Sequence, residues 1–217
     1  MKLTEAKLKQ IIEEVLQEAA LQPDEIPDGI YVRVDAISED EISIDYVDEN
    51  LKQLKYNKEG EPYGVVVIDT SVQYGERFPC LDAMMVAFSD ASHGWGPMLY
   101  DIAIEISTLL GGGLVADRTN LSAEAYDVWD FYHKNRYDAK QVQLDNEDGE
   151  LTPDVQFDDC LQTTTYDYMR KTGDDWIDSP ISKAYRKEPT TLKALRDSKK
   201  LILNDINLNF YLSACSF

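Results

Sequence analysis

The residues best suited to bind a ligand form a glycine-containing turn, Ser92-His93-Gly94-Trp95-Gly96-Pro97. Glycines at positions 94 and 96 allow the backbone to turn sharply and to direct successive N–H groups toward one point. Pro97 suits the first position of a following helix, where its missing N–H leaves no acceptor unsatisfied. Backbone N–H groups and the positive end of a helix together bind phosphate. The turn is therefore a candidate pyrophosphate site, although glycines at this spacing also occur in turns that bind nothing.

The elements on either side of the turn would hold it in place. The segment Asp82–Ser89 is mostly apolar and predicts a buried strand before the turn. Pro97–Leu110 predicts a helix after it, which the glycines Gly111–Gly113 end. Leu114–Ala116 predicts a short strand. A second helix is expected over residues 122–135, because Ser122 is a good N-cap.

Other segments predict the rest of a sheet. Ile30–Asp35 and Glu41–Val47 alternate between apolar and polar residues, as half-buried strands do. Val65–Ile68 is continuously apolar and predicts a strand buried on both faces. Residues 51–61 are polar and predict a hairpin connection. Toward the C-terminus, a short helix is expected over residues 189–200, a closing strand over 201–203 and an acidic loop over 144–159.

The run from the first of these buried strands to the second helix resembles the cofactor-binding segment of the GCN5-related N-acetyltransferase (GNAT) superfamily. In that family a central strand leads into an Arg/Gln-x-x-Gly-x-Gly/Ala loop whose amides hold the pyrophosphate of coenzyme A. A helix, a strand and a second helix carrying Asn-x-x-Ala-x-x-Leu-Tyr follow. Here the order and lengths of the elements match, Ala125 stands at the alanine, and the resemblance covers about a third of the chain, over residues 65–136.

The resemblance implies that acetyl-CoA binds as a cosubstrate between two central strands that separate near the end of the first one. The amides of the turn would hold the pyrophosphate, and the end of the strand would offer backbone groups to the pantetheine arm. The residues implied in cofactor binding are Phe88, Ser89, His93, Gly94, Trp95, Gly96 and Met98.

Two positions depart from the family pattern. Ala91 stands where the loop would begin with Arg or Gln, and Trp129 stands where the family often has a tyrosine that acts as general acid. An indole is not a useful proton donor, so the role would pass to a neighbour such as Tyr126 or Tyr132. Tyr132 lies three residues after Trp129, on nearly the same helix face, and could protonate a departing thiolate. The alternative is that Tyr132 packs in the core with its hydroxyl reaching the surface.

An amine acceptor would also need a general base. His93 lies in the turn itself, where its imidazole could act as the base or donate a hydrogen bond to a ligand. A histidine at such a position also commonly caps a turn. Asp90, Glu105 and Asp117 are further candidates, and the sequence does not distinguish among them.

The charge balance bears on possible partners. The chain has 21 Lys and Arg residues against 41 Asp and Glu residues, which gives a formal net charge of −20. Such a field repels nucleic acid and anionic membranes, so neither is expected as a partner. It favours a small-molecule or cationic amine acceptor, unless the charge serves only solubility.

Cysteine, histidine and hydropathy patterns exclude several classes of protein. Three cysteines without a CxxC pair and only two histidines predict neither a disulfide framework nor a metal site. No segment approaches the roughly 18 consecutive apolar residues of a membrane span, and the N-terminus lacks the pattern of a signal peptide. A cytoplasmic location is therefore expected.

The N-terminal segment Leu3–Ala20 predicts an amphipathic helix, with apolar residues three and four apart. It could pack on the core, bind a partner protein or be a detachable tag. Lysine-rich amphipathic openings of this kind are similar to those of many tailed-phage proteins. Leu16-Gln17-Glu18 also looks like the cleavage site of T4-like prohead proteases. A phage origin, with a virion-associated location, is thus an alternative to a cytoplasmic enzyme.

Together these patterns predict an α/β (α+β) fold with a GNAT-like mixed central sheet flanked by helices. The expected organisation is an N-terminal helix over residues 1–22, a core over 30–145 and a C-terminal extension over 146–217 that packs on the core. The expected function is acyl-CoA binding with transfer of acetyl to an amine. The alternative is a non-catalytic phage accessory or structural protein on the same scaffold. The basic segment Ser179–Lys187 would either clamp the 3′-phosphate of coenzyme A or a phosphorylated partner, or form a surface turn whose basic residues pair with the surplus carboxylates.

Overall fold

The computed structural model describes residues 21–57, 60, 62–70, 81–92, 94–118, 120–144, 173 and 175–204. Over these residues the chain forms one eight-stranded sheet with helices, which confirms the expected mixed α and β class. The helix predicted for Leu3–Ala20 lies outside the described residues. The same holds for the acidic loop beyond residue 144 and for the chain after residue 204.

The described strands and helices have the following bounds. The strands are β1 Ile30–Ala36, β2 Glu41–Asp48, β3 Val65–Asp69, β4 Met84–Asp90, β5 Leu114–Val115, β6 Ala139–Gln143, β7 Lys183–Lys187 and β8 Leu201–Leu203. The helices are α1 Gly96–Leu110, α2 Ala123–Asn135 and α3 Thr190–Asp197, with a 3-10 turn at Pro180–Ser182.

The sheet has the strand order β6-β7-β5-β4-β3-β2-β1-β8. Neighbouring strands run antiparallel, except that β4 pairs in parallel with β5 and β1 pairs in parallel with β8. The described part of the expected C-terminal extension, residues 175–204, therefore contributes two strands to the same sheet. Strand β7 lies inside the sheet between β5 and β6, and β8 forms one edge beside β1.

Helix α1 is the centre of the core. It contacts β2, β3, β5 and β7 on the sheet, and α3 packs against it as well. The predicted stripe through Leu99, Ile102 and Ile106 is buried, but Ile104 and Glu105 are fully buried too. Because a second helix covers this helix, its buried surface extends beyond the single face that periodicity predicted.

Two strands are less buried than expected. In β3, Val66 and Ile68 are buried while Val65 and Val67 are only half-buried, so one face of this strand is partly open. In β4, burial ends after Val86, and the last residues of the strand approach solvent. The prediction of a strand buried on both faces was therefore wrong for β3, and the buried strand predicted at Asp82–Ser89 is largely buried only as far as Val86.

The prediction of a surface turn at Ser179–Lys187 was also wrong. This segment forms the 3-10 turn and strand β7, in which Tyr185 is completely buried. Its lysines suggested a surface position, yet Lys187 is 4% exposed because it forms an ion pair with the buried Glu105. A strand with paired charges can lie in the interior of a sheet, where an unpaired charge would be too costly.

The glycines after α1 are required by close packing. A Cβ atom on Gly112 would lie 1.7 Å from the carbonyl oxygen of Leu81. Gly113 has a φ of +109°, and a Cβ there would lie 2.6 Å from the oxygen of Tyr185. These residues both end the helix and let the chain pass between the segment before β4 and strand β7.

No helix within the described part of the chain is long and apolar enough to cross a membrane.

Candidate functional site

The central parallel strands of the sheet separate after a short pairing. Strand β5 ends at Val115, which pairs with Met85. Strand β4 continues for five further residues, to Asp90, and remains paired with β3 on its other side. In the described part of the sheet, the end of β4 thus lacks a strand partner on the side of β5. This separation leaves a gap whose wall is the end of β4.

A β-bulge lies where the gap begins. Val67 of β3 pairs with Phe88 of β4. The next residue of β3, Ile68, pairs with Val86, which leaves Ala87 as an additional residue on β4. A bulge bends its strand and increases the local twist, and this one lies where β4 no longer has β5 beside it.

A cavity of about 600 Å³ opens at this gap. Its walls are the end of β4, the glycine turn, the first turn of α1 and one face of α2. The lining residues are Val66, Ser89–Ser92, Gly94, Gly96, Pro97, Tyr100, Ser122, Glu124, Ala125, Asp127, Val128, Phe131 and Tyr132.

The glycine turn presents backbone amides at this cavity. Gly94 has a φ of +86°, a conformation that favours glycine. The amide of Trp95 donates to the carbonyl of Ser92 at 3.1 Å and is thereby occupied. The amides of Gly94 and Gly96, two residues that line the cavity, donate to no backbone carbonyl among the described residues. These N–H groups are therefore available to a ligand, and Gly96 begins α1 at the positive end of the helix.

The structure separates the expected cofactor-binding residues into two groups. Ser89, Gly94 and Gly96 line the cavity. Trp95 points its ring into an edge-to-face contact with Tyr46, at 4.9 Å between ring centroids. Met98 and Phe88 also lie outside the cavity lining: Met98 is buried in the core, and Phe88 is 54% exposed. His93 lies outside the described residues.

Tyr132 lines the cavity, but its hydroxyl has another partner. It donates a 2.5 Å hydrogen bond to the carboxylate of Asp101 on α1. Arg136 forms an ion pair with the same carboxylate at 2.8 Å, and its guanidinium lies 5.1 Å from the centre of the Tyr132 ring. Burial, and then the negative charge of Asp101, raise the pKa of Tyr132 well above its usual value. A proton held in this way is less available to a departing thiolate.

Trp129 and Tyr126, which lie on the same helix as Tyr132, are both part of the packed core. Trp129 is 1% exposed and contacts the rings of Tyr100 and Tyr185, at 5.9 Å and 5.2 Å between centroids. Tyr126 is buried, and it is absent from the cavity lining. The position that carries a tyrosine acid in the GNAT pattern therefore contributes an apolar ring to the core.

Of the acidic residues considered as a base, Asp90 lines the cavity and two lie elsewhere. Glu105 is completely buried, where it forms an ion pair with Lys187 and accepts hydrogen bonds from the amides of Thr191 and Leu192 at 2.8 Å. It thus satisfies the N-terminus of α3. Asp117 accepts a bond from the amide of Asn120 at 3.2 Å, in the loop after β5.

The charge of the cavity wall is negative. Asp90, Glu124 and Asp127 line it, and no lysine or arginine stands among its described lining residues. A phosphate group in this cavity would therefore depend on backbone amides and would lie in the field of three carboxylates. The apolar wall from Val66, Val128 and Phe131 suits an uncharged chain.

A pair of hydroxyl groups was missed by sequence reasoning. Tyr100 donates a 2.8 Å hydrogen bond to the Oγ atom of Ser89, and both residues line the cavity. Burial is the main cause of a raised pKa for Tyr100. The sequence did carry one signal, because Tyr100 stands four residues after Gly96 and thus on the helix face above the turn.

Within the described part of the chain, no group of three or more His, Cys, Asp or Glu side chains could hold a metal ion.

Comparison with known proteins gives no relative: no family model, no curated protein and no solved structure matches this chain.

Proposed function

We propose that this protein is a GNAT-like acyl-CoA-binding protein that transfers an acetyl group from acetyl-CoA to an amine. The observation that carries the proposal is the separation of β4 from β5 beside a glycine turn with available amides. The resemblance in sequence implies such a separation near Phe88 and Ser89. Strand β4 loses its β5 partner after Met85, and the bulge at Ala87 lies between these positions.

The arrangement of elements around the gap supports the same proposal. The turn is followed by a helix, a strand parallel to β4 and a second helix, in the order that the GNAT resemblance implies. The second helix begins at the expected cap, since the Oγ atom of Ser122 accepts a bond from the amide of Ala125 at 3.1 Å. Ala125 lines the cavity at the position of the family's alanine.

The residues of the cavity fit part of the cosubstrate better than the rest. The apolar wall and the free edge of β4 suit the pantetheine arm, whose amides can pair with a strand backbone. The amides of Gly94 and Gly96 suit a pyrophosphate. The carboxylates of Asp90, Glu124 and Asp127 oppose the phosphates, so we expect binding that is weaker than a site with basic residues would give.

In the proposed reaction, the amine nitrogen attacks the thioester carbonyl carbon, a C–N bond forms, and the C–S bond breaks with release of a thiolate. Among the described candidates for the base, Asp90 lines the cavity, and its carboxylate would take the proton from the amine. We assign Tyr132 a positioning role, because its hydroxyl already donates to Asp101 and burial raises its pKa. The thiolate would then receive its proton from water.

The alternative is a non-catalytic protein that retains this scaffold as a phage accessory or structural component. Two observations favour it: the carboxylates that line the cavity, and the burial of Trp129 at the position of the family's acid. It predicts no acetyl transfer and no binding of acetyl-CoA.

Thermal unfolding in the presence of acetyl-CoA tests the proposal. A ligand at 100 times its Kd adds about 2.7 kcal/mol to the free energy of unfolding, which raises Tm measurably. Ala125→Trp should abolish the increase, because the indole would occupy the cavity that Ala125 lines. The matched control is Ala123→Trp, two residues earlier on the same helix, at an exposed position outside the cavity.

We expect acetyl-CoA to raise the Tm of the wild type and of Ala123→Trp, and to leave Ala125→Trp unchanged. No increase for the wild type at millimolar acetyl-CoA would exclude the proposal and favour the alternative. An equal increase for all three proteins would show that the ligand binds elsewhere. Release of free thiol from acetyl-CoA in the presence of a panel of amines then separates binding from transfer.

A further inference from the structure

The Ser89 side chain occupies a defined position on the wall of the gap. It lies on β4 beyond Met85, the last residue that pairs with β5, and one residue before the end of the strand. The glycine turn, with its available amides, follows directly along the chain. An extended ligand held at the turn and running into the gap between the strands would therefore pass Ser89.

The hydrogen bonding of Ser89 leaves its own proton free. Tyr100 donates to the Oγ atom of Ser89 at 2.8 Å, so the serine oxygen acts as the acceptor in this pair. The Ser89 hydroxyl donates to no group in the described part of the chain. A hydroxyl has one proton and two lone pairs, so this serine can still donate one hydrogen bond into the cavity that it lines.

Tyr100 also fixes and strengthens this donor. The tyrosine is 4% exposed on α1, and the edge of its ring meets Trp129, which restricts its movement. A hydroxyl that already accepts a hydrogen bond is a better donor, because bonds in a chain polarise one another. Tyr100 therefore orients the Ser89 hydroxyl and makes it more polar.

We propose that Ser89, oriented by Tyr100, donates a side-chain hydrogen bond to an amide carbonyl of the pantetheine arm. This inference rests on the proposed function, since it assigns a contact to the cosubstrate named there. It adds a side-chain contact to those that the strand backbone offers. Ser89 is the ligand-contacting residue, and Tyr100 is a positioning residue that acts through it.

Calorimetric titration with two probes tests this assignment. Coenzyme A contains the pantetheine arm, whereas 3′,5′-ADP contains only the adenosine, the 3′-phosphate and the first phosphate of the pyrophosphate. We expect Ser89→Ala to weaken the binding of coenzyme A by about 3- to 10-fold, the usual range for one neutral hydrogen bond. The binding of 3′,5′-ADP should remain as in the wild type, because Ser89 makes no contact with that part of the ligand.

Three further variants separate this contact from a structural effect. Ser89→Thr keeps the hydroxyl and should bind coenzyme A like the wild type. Tyr100→Phe should weaken the binding of coenzyme A. The double variant Ser89→Ala with Tyr100→Phe should bind coenzyme A as well as Ser89→Ala alone, because Tyr100 acts through Ser89. Tyr137→Phe is the control, since Tyr137 is 96% exposed and lies outside the cavity lining.

The outcomes distinguish this inference from the proposed function. If the wild-type protein does not bind coenzyme A, both the proposed function and the Ser89 contact are wrong. If it binds coenzyme A and Ser89→Ala binds equally well, only the Ser89 contact is wrong. An equal loss for both probes in Ser89→Ala would also overturn it, because it would indicate a distorted cavity rather than a lost contact with the arm.

Discussion

Tyr132 illustrates how neighbouring residues decide what a single side chain can do. Its place on α2 suggested a proton donor, and it does line the cavity. Its hydroxyl, however, belongs to a buried group with Asp101 and Arg136 that joins α2 to α1. The same hydroxyl that could serve catalysis thus holds two helices together, and spacing in the sequence cannot distinguish these roles because Asp101 is 31 residues away.

Tyr132→Phe should lower the free energy of unfolding by about 1 kcal/mol at neutral pH, the usual value of one hydrogen bond. The sign of its pH dependence follows from the raised pKa of Tyr132. The folded protein keeps a proton that an unfolded tyrosine releases near pH 10, so this contribution to stability is present below about pH 10 and is lost as the pH rises further. Urea denaturation across this range should therefore show a steeper alkaline loss for the wild type than for the variant.

Tyr137→Phe is the matched control, because this exposed tyrosine should leave the urea midpoint unchanged. A pH–rate profile for acetyl transfer tests the positioning role separately. If Tyr132→Phe removes the alkaline limb of that profile, the Tyr132 hydroxyl is a general acid, and its assignment as a positioning residue that donates to Asp101 is wrong.

At the scale of elements, the joint between α1, β7 and α3 depends on one carboxylate. Glu105 is completely buried, forms an ion pair with Lys187 and accepts two amide hydrogen bonds at the start of α3. The central helix α1 is thereby fixed to two consecutive elements that lie far along the chain, β7 and α3. A buried pair of this kind contributes little net energy, but removal of one partner leaves the other charge uncompensated.

Glu105→Ala should lower the free energy of unfolding by about 3–5 kcal/mol, because the buried Lys187 would lose its contacting carboxylate and keep only the more distant Asp138, at 3.9 Å. Urea denaturation measures the loss. Glu188→Ala, at the exposed residue next to Lys187, should change it by less than about 0.5 kcal/mol. The double variant Glu105→Leu with Lys187→Met should cost less than the two single changes together. Equal effects of Glu105→Ala and Glu188→Ala would contradict this account of the joint.

The helices were more predictable from the sequence than the C-terminal strands. Local signals mark both ends of α1, at Pro97 and Gly111, and the start of α2, at Ser122. Strand β6 was missed because it is a polar strand at the edge of the sheet, and its pairing with β7 comes from residues 40 to 48 positions away. Strand β7 was mistaken for a turn because its buried lysine has a partner that only the folded chain provides.

The candidate site was also predictable from the sequence only in part. The turn and its helix could be found from glycine spacing, and Gly94 and Gly96 do line the cavity. The gap itself was expected only from the family resemblance, because residue patterns alone reveal neither the bulge at Ala87 nor the early end of β5 on which it depends. Phe88 and Met98 lie close to the turn in the sequence but outside the cavity lining, since strands and helices direct neighbouring side chains to different faces.

For the molecule as a whole, the net charge of −20 should act on any phosphorylated ligand. Carboxylates line the cavity without a described lysine or arginine among them. Added salt screens charge repulsion as well as attraction. We therefore expect the affinity for coenzyme A to increase with NaCl concentration, opposite to the behaviour of a site that holds phosphates with basic residues.

Titration calorimetry at low and moderate NaCl concentrations measures this dependence. Replacing two of the carboxylates, with Glu124→Gln and Asp127→Asn, should raise the affinity at low salt and reduce the salt dependence. Affinity that falls with salt in the wild type would mean that cationic side chains hold the phosphates, contrary to the charge of the cavity wall.

The position of β7 has a consequence for how the chain is made. This strand completes the sheet between β5 and β6, although it follows both in the sequence. While the protein is being synthesised, β6 emerges from the ribosome some 40 residues before the strand with which it pairs. The nascent chain must therefore keep β5 and β6 apart, with their edges open, until residue 187 has been released. The final folding of this sheet is therefore a step that follows synthesis of residue 187, and until then the open strand edges can pair with other chains.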